Sequence, residues 1–237
     1  MKLSLCIATM DRWSFLKNSL PKYLENPYID EIVICDENGN DKRDIEANLK
    51  SDKIRVYSND CKLGAFLNKR RVVSLAKNEF VCLMDSDNFA PVSYFEAWEK
   101  FLNGSKPNID TIYSPSKTFK QDNHPGHNFT ALNGEVIDKT NFKYCWKAYY
   151  FAQGLLNTGN YILSKELMAK GEAPDLNLAM NCMALDVMYQ NYLLFVQGNC
   201  KFIVVPDMEY DHALHEGSYY LQTCNSINTR LFNSFYE

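Results

Sequence analysis

Three short apolar runs in the first ninety residues each stop at an acid. Leu3–Thr9 leads into Asp11, Glu31–Cys35 ends at Asp36, and Phe80–Met84 ends at Asp85-Ser86-Asp87-Asn88. Runs of this length, bounded by polar turns, predict buried strands. Between the first two, Arg12 to Tyr23 sets Trp13, Leu16, Leu20 and Tyr23 on one helical face. Pro21 is expected to kink or end that helix. Lys53–Tyr57 predicts a further strand, and Leu63–Lys77 a helix whose apolar residues are Leu67, Val72 or Val73, Leu75 and Ala76. Strand alternating with helix predicts an α/β domain with a mainly parallel central sheet flanked by helices. In such a sheet the carboxyl ends of the strands share one edge, and ligands bind there. Asp11, Asp36, Asp85 and Asp87 would then line one cleft.

Two carboxylates one residue apart, where a buried strand leaves the core, suit a hard divalent cation, which can in turn grip a phosphate. Asp85 to Asn88 also has the composition of a plain polar turn. The other acidic strand ends favour a site over a turn. Neither a glycine-rich dinucleotide fingerprint nor a phosphate-binding lysine loop follows the first strand. A phosphate would need another holder, and a metal is one.

Composition narrows the partners. The 237 residues suffice for one large domain. A net charge of −4, with no basic run beyond Lys69-Arg70-Arg71, argues against a nucleic-acid surface. The eight cysteines contain no CxxC pair, which argues against a zinc cluster. Cys6, Cys35 and Cys82 lie inside strand-like runs, as small buried hydrophobes do, so a reducing, cytoplasmic compartment is expected. The first residues lack the pattern of a secretory signal, and no run approaches the ~20 apolar residues of a membrane span. The sequons at Asn103 and Asn128 carry little weight on that reading.

The second part is less regular. Ser93–Leu102 reads as helix, Thr111–Ser114 as a short strand, and Phe119 to Val136 as a mobile loop that includes His124 and His127. Phe142–Tyr150 is aromatic; Trp146, Tyr149 and Tyr150 could stack on a sugar ring, though such clusters more often form core. Ser164–Lys170 and Ala184–Phe195 read as helices and Lys201–Val205 as a late strand. With no internal repeat or low-complexity linker, a single domain is the simplest organisation.

The stretches LSLCIATMDR, EIVICDENGND and KLGAFLNKRRVVSLAKNEFVCLMDSDN resemble the nucleotide-sugar half of a GT-A (Rossmann-like) fold glycosyltransferase, close to family 2. The likeness is good over residues 1–90 and continues more weakly to about residue 215. It implies a nucleotide-sugar-binding half over 1–90 and an acceptor-binding half over 91–237. It also implies Asp87 as the main ligand of Mn²⁺ or Mg²⁺, and Asp85, with Ser86 beside it, against the ribose or the metal. Thr9, Asp11 or Arg12, and Asp36 would meet the nucleoside. Lys62, Gly64, Asn68 and Lys69 would approach the nucleotide and diphosphate. Asp186 stands where the family usually shows Glu-Asp and would be the general base, although Leu185 replaces the usual Glu. A helix N-terminal acid would explain Asp186 without chemistry. In Tyr210-Asp211-His212-Ala213-Leu214-His215, His212 would complete the metal or diphosphate site, with His215 as second choice. Residues 157–160 resemble the family's segment near the donor sugar and acceptor. The QxxRW signature of processive synthases is absent, which implies one sugar added at a time.

Together these readings imply a metal-dependent, inverting, non-processive glycosyltransferase that moves a sugar from a UDP-sugar to a hydroxyl of a glycan acceptor. Two alternatives remain. A sugar-phosphate nucleotidyltransferase would release pyrophosphate from a nucleoside triphosphate, but such enzymes usually open with a glycine-rich loop after strand one. A non-catalytic carbohydrate- or nucleotide-binding module would bind without turnover.

Overall fold

The computed structural model describes residues 2–119, 126–142, 154–172, 186–213 and 215. Four parallel strands open the chain: β1 (Leu3–Thr9), β2 (Ile29–Asp36), β3 (Ile54–Ser58) and β4 (Phe80–Asp85). They join β5 (Thr111–Phe119), β6 (Val136–Ile137), β7 (Tyr161–Ser164) and β8 (Lys201–Asp211) in one eight-stranded sheet of order β3-β2-β1-β4-β7-β5-β8-β6.

Strand alternation sorts the core into two layers. Leu5 and Ile7 of β1, Ile32 and Ile34 of β2, and Cys82 and Met84 of β4 face one side. There they meet α1 (Trp13–Glu25), α2 (Asn40–Asn48) and α4 (Val92–Leu102) through Leu16, Leu20, Ile45, Tyr94 and Trp98. Cys6, Val33, Val81 and Leu83 face the other side. They meet α3 (Gly64–Ser74), α5 (Lys165–Ala169) and α6 (Met188–Val196) through Val72, Leu167 and Leu194. A parallel sheet covered on both faces explains why its strands are apolar throughout.

Strand register confirms the shared acidic edge. Thr9 lies opposite Asp36, and Ala8 opposite Asp85. From β7 onward the sheet departs from simple alternation. β7 runs antiparallel to β4, with Leu83 opposite Tyr161, so its amino end sits at the acidic edge. β5 and β8 are parallel to each other, with a register shift between Pro115 and Lys117. Past it, Asp211 of β8 exchanges backbone hydrogen bonds with Phe89, 3.0 and 2.8 Å long. The chain after β8 is thereby carried to the loop after β4.

Several sequence expectations are corrected. α1 continues four residues past Pro21. The hydrogen bond that Pro21 cannot make falls on the exposed side, while Leu20 and Tyr23 hold the helix to the sheet. β5 and β8 run on to Phe119 and Asp211, beyond the short strands expected, because Pro115 and Pro206 lie at the register shift where ladder bonds are already interrupted. The described part of the expected mobile loop is anchored. Leu132 is fully buried, and the Phe129 amide donates to Ser116 O at 2.7 Å. α6 begins at Met188 rather than Ala184; residues 184 and 185 lie outside the described residues, as do His124, Trp146, Tyr149 and Tyr150. No helix among the described residues is long and apolar enough to cross a membrane.

Candidate active site

At the carboxyl edge of β4, one ammonium faces two carboxylates. Lys69, on α3, donates to Asp85 Oδ1 at 2.7 Å and to Asp186 Oδ2 at 2.8 Å. Lys69 is 5% exposed. The carboxyl side chains keep 28% and 22% of their surface open. An ammonium so buried would lose several kcal/mol of hydration if unpaired. Burial opposes its charge, but Asp186 and Asp85 outweigh burial and raise its pKa above the ordinary lysine value. Asp85 and Asp186 divide in the opposite sense. Burial pushes Asp85 upward, yet Lys69, nearby His212 and the Asn160 amide hold it below the usual carboxylate value. For Asp186, burial and the charge of Asp85 outweigh Lys69, and its pKa is raised.

Asn160, just ahead of β7, fixes Asp85. Its Oδ1 accepts from the Asp85 amide at 2.7 Å, and its Nδ2 donates to Asp85 Oδ2 at 3.1 Å. Tyr94 in turn donates to the Asn160 carbonyl at 3.0 Å. Asn191 of α6 steadies the approach to Asn160 by donating to the carbonyls of Leu156 and Thr158 at 2.8 and 2.9 Å.

Asp87 lies beside this group and pairs with a histidine. His215 Nε2 is 3.1 Å from Asp87 Oδ2, and the histidine ring lies 4.7 Å from that of Phe15. The Ala213 amide donates to Asn88 Oδ1 at 3.0 Å, which holds the segment after β8 against the loop after β4. His212, the first choice from sequence, packs edge-on to Tyr210 and His127, with ring centroids 6.2 and 6.4 Å away. The carboxylate oxygens suit Mn²⁺ or Mg²⁺, to which a bound diphosphate could add further oxygens, whereas an imidazole fits a softer transition metal better than Mg²⁺. Among the described residues no three His, Cys, Asp or Glu side chains converge as a ready-made metal cage. Asp85 has its oxygens engaged by Lys69 and Asn160, and Asp87 Oδ2 is engaged by His215.

At the far end of the edge the polar atoms mostly serve the scaffold. Asp36 is fully buried and accepts from the amides of Asn38 and Lys42 at 3.3 and 2.9 Å. Asp41 accepts from the Thr9 hydroxyl at 2.6 Å and from the Arg12 amide at 2.8 Å, at the start of α1. Asp36 and Asp41 thus satisfy amides at the starts of α2 and α1. The Thr9 hydroxyl and the Asp36 carboxylate, which the resemblance would have meet the nucleoside, are thus engaged inside the fold. Asp11 is exposed at φ 55° and accepts from Asn38 and Asn40. Asn68 donates to the Cys35 carbonyl and accepts from Asn59, which ties β2 to the loop after β3. Gly64 opens α3 at φ 74°, a backbone shape that favours glycine. Lys62 is exposed and Ser86 is 9% exposed.

Sequence reasoning missed Glu37, Asp41 and Asn191. Glu37 Oε2 accepts from Asn59 at 2.8 Å and from the Leu63 amide at 3.0 Å, while its Oε1 is buried with no partner among the described residues. The available signal was the Asp36-Glu37 doublet, of which the first acid was chosen. A surface cavity of about 490 Å³ lined by Ile45, Leu49, Ile54 and Val56 lies at the opposite, amino end of β3, away from these groups.

The sheet order and the polar carboxyl edge define a GT-A type α/β fold, and solved structures agree. The chain aligns with S. aureus TarS 1-349 in complex with UDP-GlcNAc at TM-score 0.69 and 13% identity, covering 94% of this chain and 61% of that one. It aligns with GalNAc-T7 with UDP, GalNAc and Mn²⁺ at TM-score 0.62 and 14% identity, covering 92% and 45% respectively. The chain therefore spans less than two thirds of the length of these structures. No curated protein matches it. The family model for glycosyl transferase family 2 matches residues 4–161, and the chain belongs to that family.

Proposed function

We propose that this protein is a glycosyltransferase that moves a sugar from a UDP-sugar to a hydroxyl of a glycan acceptor, one residue at a time and with inversion. The observation that carries the reading is the Asp85–Lys69–Asp186 group at the carboxyl edge of β4, in a chain of family 2. The solved structures of the same fold that bind UDP, one of them with Mn²⁺, support the donor class.

On this reading Asp186 is the general base. A half-buried carboxylate with a raised pKa is a better proton acceptor than an ordinary one. It takes the proton from the acceptor hydroxyl, whose oxygen attacks the anomeric carbon opposite the departing diphosphate. Glu37, Asp11 and Arg12 lie at the β1–β2 end, where the nucleoside would sit. Lys62 and Gly64 border the path toward the diphosphate. Asp87 and His215, with His212 nearby, would hold a divalent cation. Such an ion supplies positive charge to the leaving diphosphate. The buried free thiols of Cys6, Cys35, Cys82 and Cys200 support a cytoplasmic setting.

The test is a panel of nucleotide-sugars screened for thermal protection with and without Mn²⁺, followed by an assay of UDP release. A ligand that binds only the native state raises its melting temperature. UDP-sugars should protect, Mn²⁺ should deepen the effect, and Asp87→Ala should abolish that metal-dependent part. Pyrophosphate release from a nucleoside triphosphate, or binding with no turnover, would overturn the reading.

A further inference from the structure

Lys69 joins two carboxylates that arrive from different parts of the chain. Asp85 ends β4, whereas Asp186 is 117 residues from Lys69 in sequence and two residues ahead of α6. Among the described residues, Lys69 is the sole side chain that donates to the Asp186 carboxylate. Val187, at the start of α6, offers no side-chain cap of its own.

Gly159 covers this contact. A Cβ there would stand 3.0 Å from Val187 Cγ2 and 3.7 Å from Lys69 Nζ. The bare backbone therefore packs over the ammonium and against the neighbour of Asp186, and the next residue, Asn160, holds Asp85. Lys69, Gly159 and Asn160 form one frame around the two acids.

We propose that Lys69 is a positioning residue for the transfer step: its ammonium fixes Asp186 against Asp85 and does not serve as a contact to the donor diphosphate. The inference rests on the reading of Asp186 as the base. Two of the three ammonium protons are spent on carboxylates, and the nitrogen lies beneath residue 159 rather than in open solvent. A donor contact would need that pairing undone. A positioning role uses it as it stands.

Lys69→Met and Lys69→Arg test this, with UDP titrated in the presence of Mn²⁺, hydrolysis followed for whichever UDP-sugar the intact protein consumes, and a crystal structure of Lys69→Met. Lys69→Met should bind UDP within about threefold of the intact protein, lose about 100-fold in hydrolysis rate, and show Asp186 displaced, while Lys69→Arg recovers part of the rate. UDP affinity that falls as steeply as the rate would overturn the proposal, since Lys69 would then touch the donor. An undisplaced Asp186 would also overturn it. If Lys69→Met fails to fold, Gly159→Ala keeps both charges and crowds Val187. It should lower the rate about tenfold with UDP affinity kept, and an unchanged rate would overturn the proposal. An intact protein that neither binds UDP nor consumes a UDP-sugar would fail the functional reading, while the place of Asp186 in the Lys69→Met crystal structure would still decide the positioning claim.

Discussion

The two ends of the acidic edge use carboxylates in opposite ways. At the β1–β2 end, Asp36 and Asp41 accept from backbone amides and the Thr9 hydroxyl, and Asp36 is sealed from solvent. At the β4 end, Asp85 and Asp186 share a lysine but remain partly open, and Asp87 pairs with His215. The first group is closed by partners within about thirty residues. The second is assembled from residues 69, 85–87, 159–160, 186 and 215. A carboxylate closed by nearby amides braces helix starts, whereas one held by a distant cation beside solvent can meet a ligand.

The sharpest break of this contrast is Asp186→Asn. It should keep UDP binding and lower transfer by about 10³-fold, since the amide cannot take the proton; single-turnover kinetics would show this, and full retention of transfer would remove Asp186 from its role. Asn160→Ala should come next. It frees one side of Asp85 and removes the acceptor of the Asp85 amide, so rates should fall by about 10- to 100-fold, the usual cost of losing an orienting partner, and stability by about 1–3 kcal/mol.

The braced end should respond in stability. Asp41→Ala removes the acceptor for the start of α1 and should cost about 1–2 kcal/mol in urea unfolding. If instead it abolishes UDP binding at full stability, the division between bracing and chemistry is wrong.

The smallest effect concerns acid. Glu31 lies at the amino edge of the sheet, with Ser4, Arg55 and the Lys77 amide as donors. Burial raises its pKa, but those bonds outweigh burial and hold it below the ordinary glutamate value. A depressed folded pKa gives stability that is full above the unfolded pKa, roughly 4.3, and is lost as pH falls through the folded value. Glu31→Gln should therefore destabilise at pH 7 by about 1–2 kcal/mol, and the gap should narrow near pH 3, as urea titrations at the two pH values would reveal.

The first ninety residues were legible because each strand and helix there carries its own local pattern of apolar run, helical face and polar turn. Leu3–Thr9 matches β1 residue for residue, and β2, β3 and β4 lie within two residues of expectation. Asp85, Asp87, Lys69 and Asp186 were singled out as chemistry-bearing types, and the fold brings Lys69, Asp85 and Asp186 into contact. That Asp36 and Thr9 are engaged inside the fold was not legible, because exposure at a strand end depends on whether a neighbouring helix start claims the side chain. His212 was preferred to His215, yet His215 pairs with Asp87, because the path of the chain after β8 follows from the Phe89–Asp211 pairing.

The sequence alone determined the layered sheet and which of its ends is acidic, because hydrophobic period and turn chemistry are local properties that each segment carries by itself. Only the tertiary structure decided which acid is sealed, which is tied to Lys69 and which meets an imidazole. Those outcomes depend on distances between residues up to 128 positions apart in sequence, which the packing of β7, β8 and α6 against β4 sets and no local pattern encodes.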